Sequence, residues 1–202
     1  MKRGHWQILL AAALFLLALG LTLYPVVSNW YIGRHQSRIQ TEYREVLEQT
    51  DSAEIESIRE SAVAYNKTIT PGAAEEAYSQ ASIRLAAEDY VNQLNVSGSG
   101  IMGYVEIPKI GVDLPIYHGT GADSLDRGTG HLLGSSLPVG GESTHTIITG
   151  HSGMASQKMF TDLEQLREGD IFYLHVLDET LTYEVREIHT VLPHDTTYLG
   201  IE

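Results

Sequence analysis

Gly103-Tyr104-Val105-Glu106-Ile107-Pro108-Lys109-Ile110-Gly111-Val112-Asp113-Leu114 is the stretch that decides how this chain folds. Before Gly100, apolar residues recur at intervals of three and four. Here the interval becomes two, first in Tyr104-Val105-Glu106-Ile107 and again in Ile110-Gly111-Val112-Asp113-Leu114, the alternation of strands with one face toward a core. Pro108 and Pro115 have no N–H to give to a ladder, which predicts both at strand ends or edges. Further strands are expected at 144–149, 171–177 and 181–192, punctuated by Gly128, Gly130, Gly140-Gly141 and Gly150, with one short helix over 158–167. Short strands so spaced predict a barrel or sandwich and argue against a parallel α/β sheet.

Toward the N-terminus, Ile39, Tyr43, Val46, Leu47, Ile55, Ile58 and Ala62 keep helical spacing across residues 34–70, with Asp51 and Ser52 able to cap a second helix. Pro71-Gly72 breaks the pattern, residues 73–94 resume it, and Ser97-Gly98-Ser99-Gly100 ends it. Residues 8–27 carry no charged side chain, and twenty helical residues span a hydrocarbon core of about 30 Å. Lys2 and Arg3 precede this run, and Trp30-Tyr31 follow it at the far boundary. That arrangement predicts an anchor with its N-terminus inside the cell and everything after Ser28 outside. A cleaved signal peptide is the alternative, but its apolar region is shorter, about 7–15 residues. The expected organisation is therefore a cytoplasmic stub and transmembrane helix over 1–32, a helical extracytoplasmic extension over 33–100 and a β-domain over 101–202.

Among the 202 residues, 13 Lys and Arg stand against 26 Asp and Glu, a formal net charge of −13, so no extended basic surface exists to neutralise phosphates and nucleic acid is not an expected partner. The chain contains no cysteine, which removes disulfides, thiolate metal sites and any thiol nucleophile. Gly119-Thr120-Gly121 lacks the third glycine of a dinucleotide turn and reads as a simple turn. Nine histidines invite a metal reading. Yet His145 and His151 lie at opposite ends of one expected strand, about 20 Å apart, and no His-Glu-x-x-His occurs, so neither a metal nor another cofactor is expected. Asn66-Lys67-Thr68 and Asn95-Val96-Ser97 match glycosylation sequons, a pattern short enough to arise by chance.

His151 stands apart, because it closes an apolar strand in Thr149-Gly150-His151-Ser152-Gly153, where flanking glycines let the chain turn and aim an imidazole into a cleft. By spacing alone it is either a structural histidine or a catalytic one. Ser152 does not make a serine hydrolase of the site, since neighbouring strand side chains face opposite ways and Gly-x-Ser-x-Gly is absent.

The series Gly103-Tyr104-Val105-Glu106-Ile107-Pro108-Lys109-Ile110, Leu114-Pro115-Ile116-Tyr117-His118-Gly119, Gly130-His131-Leu132, Ser136-Leu137-Pro138-Val139-Gly140-Gly141 and Thr144-His145-Thr146-Ile147-Ile148-Thr149-Gly150-His151 resembles the class C sortases, which polymerise pilins in Gram-positive bacteria. Lys158-Met159-Phe160-Thr161-Asp162-Leu163 and Gly169-Asp170-Ile171-Phe172-Tyr173-Leu174-His175 extend the resemblance to about residue 199. It implies a β-barrel whose last two strands carry a Thr-Leu-x-Thr-Cys nucleophile and then an arginine. It also implies a cysteine transpeptidase that cuts a Leu-Pro-x-Thr-Gly-like sorting signal between Thr and Gly and passes the acyl group to a lysine amine of another pilin. On this resemblance His151 is the catalytic histidine, protonating the leaving amine and deprotonating the incoming one.

Two departures accompany the resemblance. The sequence stops at Ile201-Glu202, where the family enters the strand leading to its cysteine, so an incomplete barrel without its last two strands, nucleophile and arginine is expected, inactive as given. Nothing between Pro71 and Gly100 matches the Asp-Pro-aromatic lid motif of the pilus class. The alternative function is a non-catalytic, membrane-anchored module that binds pilins or sorting signals without cutting them. An extracytoplasmic sensor or spacer would explain the anchor and helices but not the ordered series.

Overall fold

The computed structural model describes residues 2–79, 88–153 and 158–200. A single helix, α1 (Lys2–Gln49), runs through Pro25 without a break and joins the apolar segment to the first helix of the extension. Within it His5–Ser28 is long and apolar enough to cross a membrane, with a mean hydropathy of 2.3 and none of the span buried in the protein. Helix α2 (Ser52–Asn66) starts where the sequence predicts: the Asp51 carboxylate accepts the Ala53 N–H at 2.8 Å. Helices α3 (Ala73–Ser79) and α4 (Glu88–Asn92) fall within the helix expected over 73–94, whose middle, residues 80–87, lies outside the described residues.

The β-domain is one six-stranded sheet built from β1 (Ile101–Ile107), β2 (Val112–His118), β3 (Thr129–His131), β4 (Ile148–Thr149), β5 (Ile171–Val176) and β6 (Glu179–Glu184). The strand order is β4-β3-β2-β1-β5-β6, which leaves β4 and β6 as its two edges. Among the described residues only β2 and β3 pair in parallel, and the one-turn helix α5 (Ala122–Leu125) makes their connection. The period-two segments form β1 and β2, joined through a 3₁₀ turn at Pro108–Ile110 that closes on Gly111 with φ +60, a left-handed conformation suited to glycine.

Alternation along the strands sorts side chains onto two faces. On one, Val105, Ile107, Leu114, Ile116, Leu174 and Val176 pack with Ile55 and Ala62 of α2 and Tyr90 and Leu94 of the α4 region. On the other, Tyr104 and Tyr117 meet Tyr43 near the end of α1. The Tyr43 hydroxyl donates to the Met102 carbonyl at 3.3 Å and accepts the Leu177 N–H at 3.2 Å, so α1 clamps β1 to the β5–β6 turn. Burial pushes that phenol up to about 12, which keeps its proton on the oxygen.

Pro115 lies inside β2 but at a locally open edge, as its missing N–H predicts: the ladder to β3 begins only at Ile116, and the Pro115 carbonyl accepts the Thr129 hydroxyl at 2.9 Å. Three sequence expectations are corrected. The strand expected over 144–149 is laddered only at Ile148–Thr149, because β3 is three residues long and serine takes over the pairing: the Ser135 and Ser136 hydroxyls accept the N–H groups of Ile147 and His145. The strand expected over 181–192 stops at Glu184, after which Val185 pairs its N–H and C=O with Asp170 and Gly169. In place of a helix over 158–167 there is one 3₁₀ turn, Leu163–Gln165. Met159 has φ +39 and both it and its neighbour Phe160 are buried, and a helix would turn two adjacent side chains about 100° apart.

Both sequon asparagines are engaged in the fold. Asn66 forms a two-point contact with the Leu137 peptide, Nδ2 donating to the carbonyl at 3.2 Å and Oδ1 accepting the N–H at 2.7 Å. Asn95 Oδ1 accepts the Gly100 N–H at 2.9 Å. Asn66→Ala leaves the Leu137 N–H without its partner, while the Leu137 carbonyl keeps the Val139 N–H at 2.8 Å, and urea unfolding is expected to show a loss of about 2 kcal/mol; an unchanged midpoint would mean that water replaces the contact.

Candidate active site

The three histidines of the β3–β4 region sit in three different surroundings. His131, in β3, is fully buried. Its Nε2 lies 2.9 Å from the Ser136 carbonyl, which can only accept, so that nitrogen carries the proton. Its Nδ1 faces the Tyr90 hydroxyl at 2.9 Å. Desolvation pushes the ring down to about 4, against an ordinary value of 6.5, and holds it neutral. Tyr90 also accepts the Gly119 N–H at 3.0 Å, so this pair ties the α4 region to the β2–β3 crossover. His131 is a structural histidine.

His145 precedes β4, and its Nδ1 donates to the Gly200 carbonyl at 2.8 Å. The residue lines a cleft of about 570 Å³ whose walls include Ile107, Ile148, Phe160, Leu174 and Tyr183. Since Tyr183 belongs to β6 and Ile148 to β4, this apolar cleft lies between the two edges of the sheet. By spacing His145 reads as one of the scattered histidines; the sheet order places it on the cleft wall.

His151 follows β4 by two residues. Its carbonyl accepts the Phe160 N–H at 3.0 Å, and Gly150 lies flat against the Phe160 ring, where an added Cβ would come within 2.8 Å of a ring carbon. These contacts fix the backbone that carries the imidazole. The ring is not among the residues lining the cleft. It is 41% exposed, beside the wall formed by Phe160, and its Nε2 is 3.8 Å from Oδ1 of Asp126. No acid lies near His151 in the sequence motif around it. Asp126 ends α5, and it arrives because β3, which follows that turn, pairs with β4.

Among the described residues no three His, Asp or Glu side chains converge as a metal-binding group. An apolar cleft with a bonded histidine on its wall and a second, accessible histidine at its side is suited to holding an extended apolar peptide near a group that exchanges protons.

The sortase domain family model matches residues 105–202. The chain is 33% identical over 100 residues to sortase D of Bacillus subtilis, covering 50% of this chain and 48% of that relative. It thus spans about half the length of that curated protein. Among solved structures it is similar to sortase C of Streptococcus pneumoniae, described for its catalysis and pilin substrate specificity, with a TM-score of 0.70 and 40% identity over 82% of each chain. Sortase C1 of Streptococcus agalactiae gives a TM-score of 0.71 at 38% identity, over 82% of this chain and 83% of that one.

Proposed function

This chain belongs to the sortase family, and from that membership we propose that it carries the acid–base histidine of a pilus-type transpeptidase. The observation that carries the reading is the placement of His151: its backbone is fixed by Phe160, a wall of the apolar cleft, while its ring stays accessible. The proposed substrate is a Leu-Pro-x-Thr-Gly-like sorting signal. A thiolate attacks the threonine carbonyl carbon, His151 gives its proton to the departing glycine nitrogen, and a thioester remains. A lysine amine of a second pilin then attacks the thioester, loses a proton to His151 and forms the new amide as the thiolate leaves.

The 202 residues contain no cysteine, so they do not supply that sulfur. No serine replaces it, because a hydroxyl needs a far stronger base than a thiol does. The chain as given is expected to leave a sorting-signal peptide uncut. Incubation of the full chain in detergent with a labelled peptide, followed by mass spectrometry, tests this; a cleavage that His151→Ala abolishes would refute it. The absence of cysteine also favours a second reading, in which the chain binds pilins or sorting signals without cutting them.

The span His5–Ser28 is proposed as the membrane anchor, with Lys2 and Arg3 inside and the β-domain outside. Because α1 continues unbroken to Gln49 and Tyr43 clamps it to the sheet, the cleft is carried on the anchor helix itself, without a flexible linker.

A further inference from the structure

We propose that Asp126 is a positioning residue for His151: its carboxylate favours the charged imidazole and keeps the Nε2 proton in place for donation. Two independently fixed backbones bring the pair together. On one side, the turn that ends α5 is bound by Asp126 N–H to the Ala122 carbonyl at 2.8 Å, by the Ser124 hydroxyl to the His118 carbonyl at 2.8 Å, and by Arg127 Nε to the Asp123 carbonyl at 2.8 Å. The Arg127 guanidinium lies over the Tyr117 ring at 4.1 Å. On the other side, His151 is held by Phe160.

Between these anchors the Nε2–Oδ1 separation of 3.8 Å is too long for a hydrogen bond, yet within the range at which opposite charges interact. The distance matters for function. A carboxylate in hydrogen-bond contact would occupy the Nε2 proton, whereas one at this range stabilises the cation and leaves the proton free for an amine. Of the other charged groups near the segment that bonds His151, Lys158 and Asp162 are paired with each other at 2.9 Å, and Lys158 also donates to the Ile110 carbonyl. Both side chains of the Asp126–His151 pair are substantially exposed, so the effect is a few-fold and depends on salt.

The functional meaning of this pair rests on His151 as the proton carrier, but its test does not require activity. The full chain in detergent micelles is treated with diethyl pyrocarbonate, which modifies only unprotonated imidazole, at about pH 6.5, near the ordinary histidine value. The rate at His151 is read by peptide mass spectrometry. In Asp126→Asn it is expected to rise about two- to threefold at low salt. In Asp126→Glu it is expected to stay near the parent rate. At 1 M salt, where screening acts within about 3 Å, the difference should disappear. Buried His131 reports folding, since it stays unmodified while β3 is intact; if Asp126→Asn exposes it, Asp126→Ser takes its place. Equal rates at low salt, or a difference that survives high salt unchanged, would overturn the proposal. Loss of the acid–base role of His151 would leave this comparison unaffected, so the two claims fail separately.

Discussion

As pH falls from about 6.5 to about 4 the β-domain is expected to lose about 3 kcal/mol of stability through His131 alone. In the unfolded chain this ring takes up a proton at its ordinary value of 6.5, while in the fold burial holds it neutral down to about 4. Between those values the unfolded state binds more protons, so stability is complete above the upper value, declines as pH falls, and levels off below the lower one. The cause is local. A charged ring would lie fully buried in a site without solvent, where the Tyr90 hydroxyl would have to turn its one proton to the His131 carbonyl, 3.0 Å away, and accept from Nδ1.

His131→Gln isolates the effect, since a glutamine amide can donate to the Ser136 carbonyl and accept from Tyr90 without titrating. Urea midpoints of parent and variant, measured across this window, should converge as the medium becomes acid. Parallel curves would show that His131 does not carry the dependence. Because β3 pairs with β4 through Gly130–Thr149 and His131–Ile148, acid loosening of this histidine also loosens the strand that presents His151.

The switch from helical to alternating spacing at Gly100 was legible because burial dictates it: Val105, Ile107, Leu114 and Ile116 face one core, and Tyr104 and Tyr117 the other. The length of β4 was not legible. Thr144 to Thr149 reads as a strand, but whether an extended segment joins a ladder depends on its partner, and here the partner gives the backbone N–H groups of Leu132 and Ser136 to the carbonyls of Ile147 and His145 while Ser135 and Ser136 hydroxyls stand in for its backbone acceptors. Residues 158–167 have helical composition, and tertiary packing overrides it by burying Met159 and Phe160 side by side.

The site was legible in the same uneven way. His151 stands out by its place between glycines at the end of an apolar strand, and its catalytic reading comes from the order of motifs around it, whereas Asp126 and His145 join the candidate site only through strand pairing that brings distant segments together. The glycines flanking His151 predict an imidazole aimed into a cleft. In the structure the ring stands beside the cleft wall, because Phe160 occupies the space against Gly150.

His151→Ala is expected to have the largest effect of any single substitution, provided that a sulfur nucleophile is present. General acid–base groups contribute about 10²- to 10⁴-fold to rates of this kind, and acyl transfer to an amine needs the proton moved twice. Stability should barely change, since the ring is 41% exposed and its interaction with Asp126 is an exposed pair. A large loss of rate with an unchanged unfolding midpoint therefore separates a catalytic histidine from a structural one. His131→Gln is expected to behave in the opposite sense, altering the pH dependence of stability with little direct effect on the proton transfer.

The most direct measurement joins this chain to a C-terminal segment carrying the Thr-Leu-x-Thr-Cys nucleophile and arginine that the family resemblance implies, and follows release from a sorting-signal peptide with His151 present and replaced by alanine. The account predicts thiol-dependent cleavage in the hybrid that falls by about 10²-fold or more in His151→Ala. A hybrid that cleaves equally well without the imidazole would contradict it.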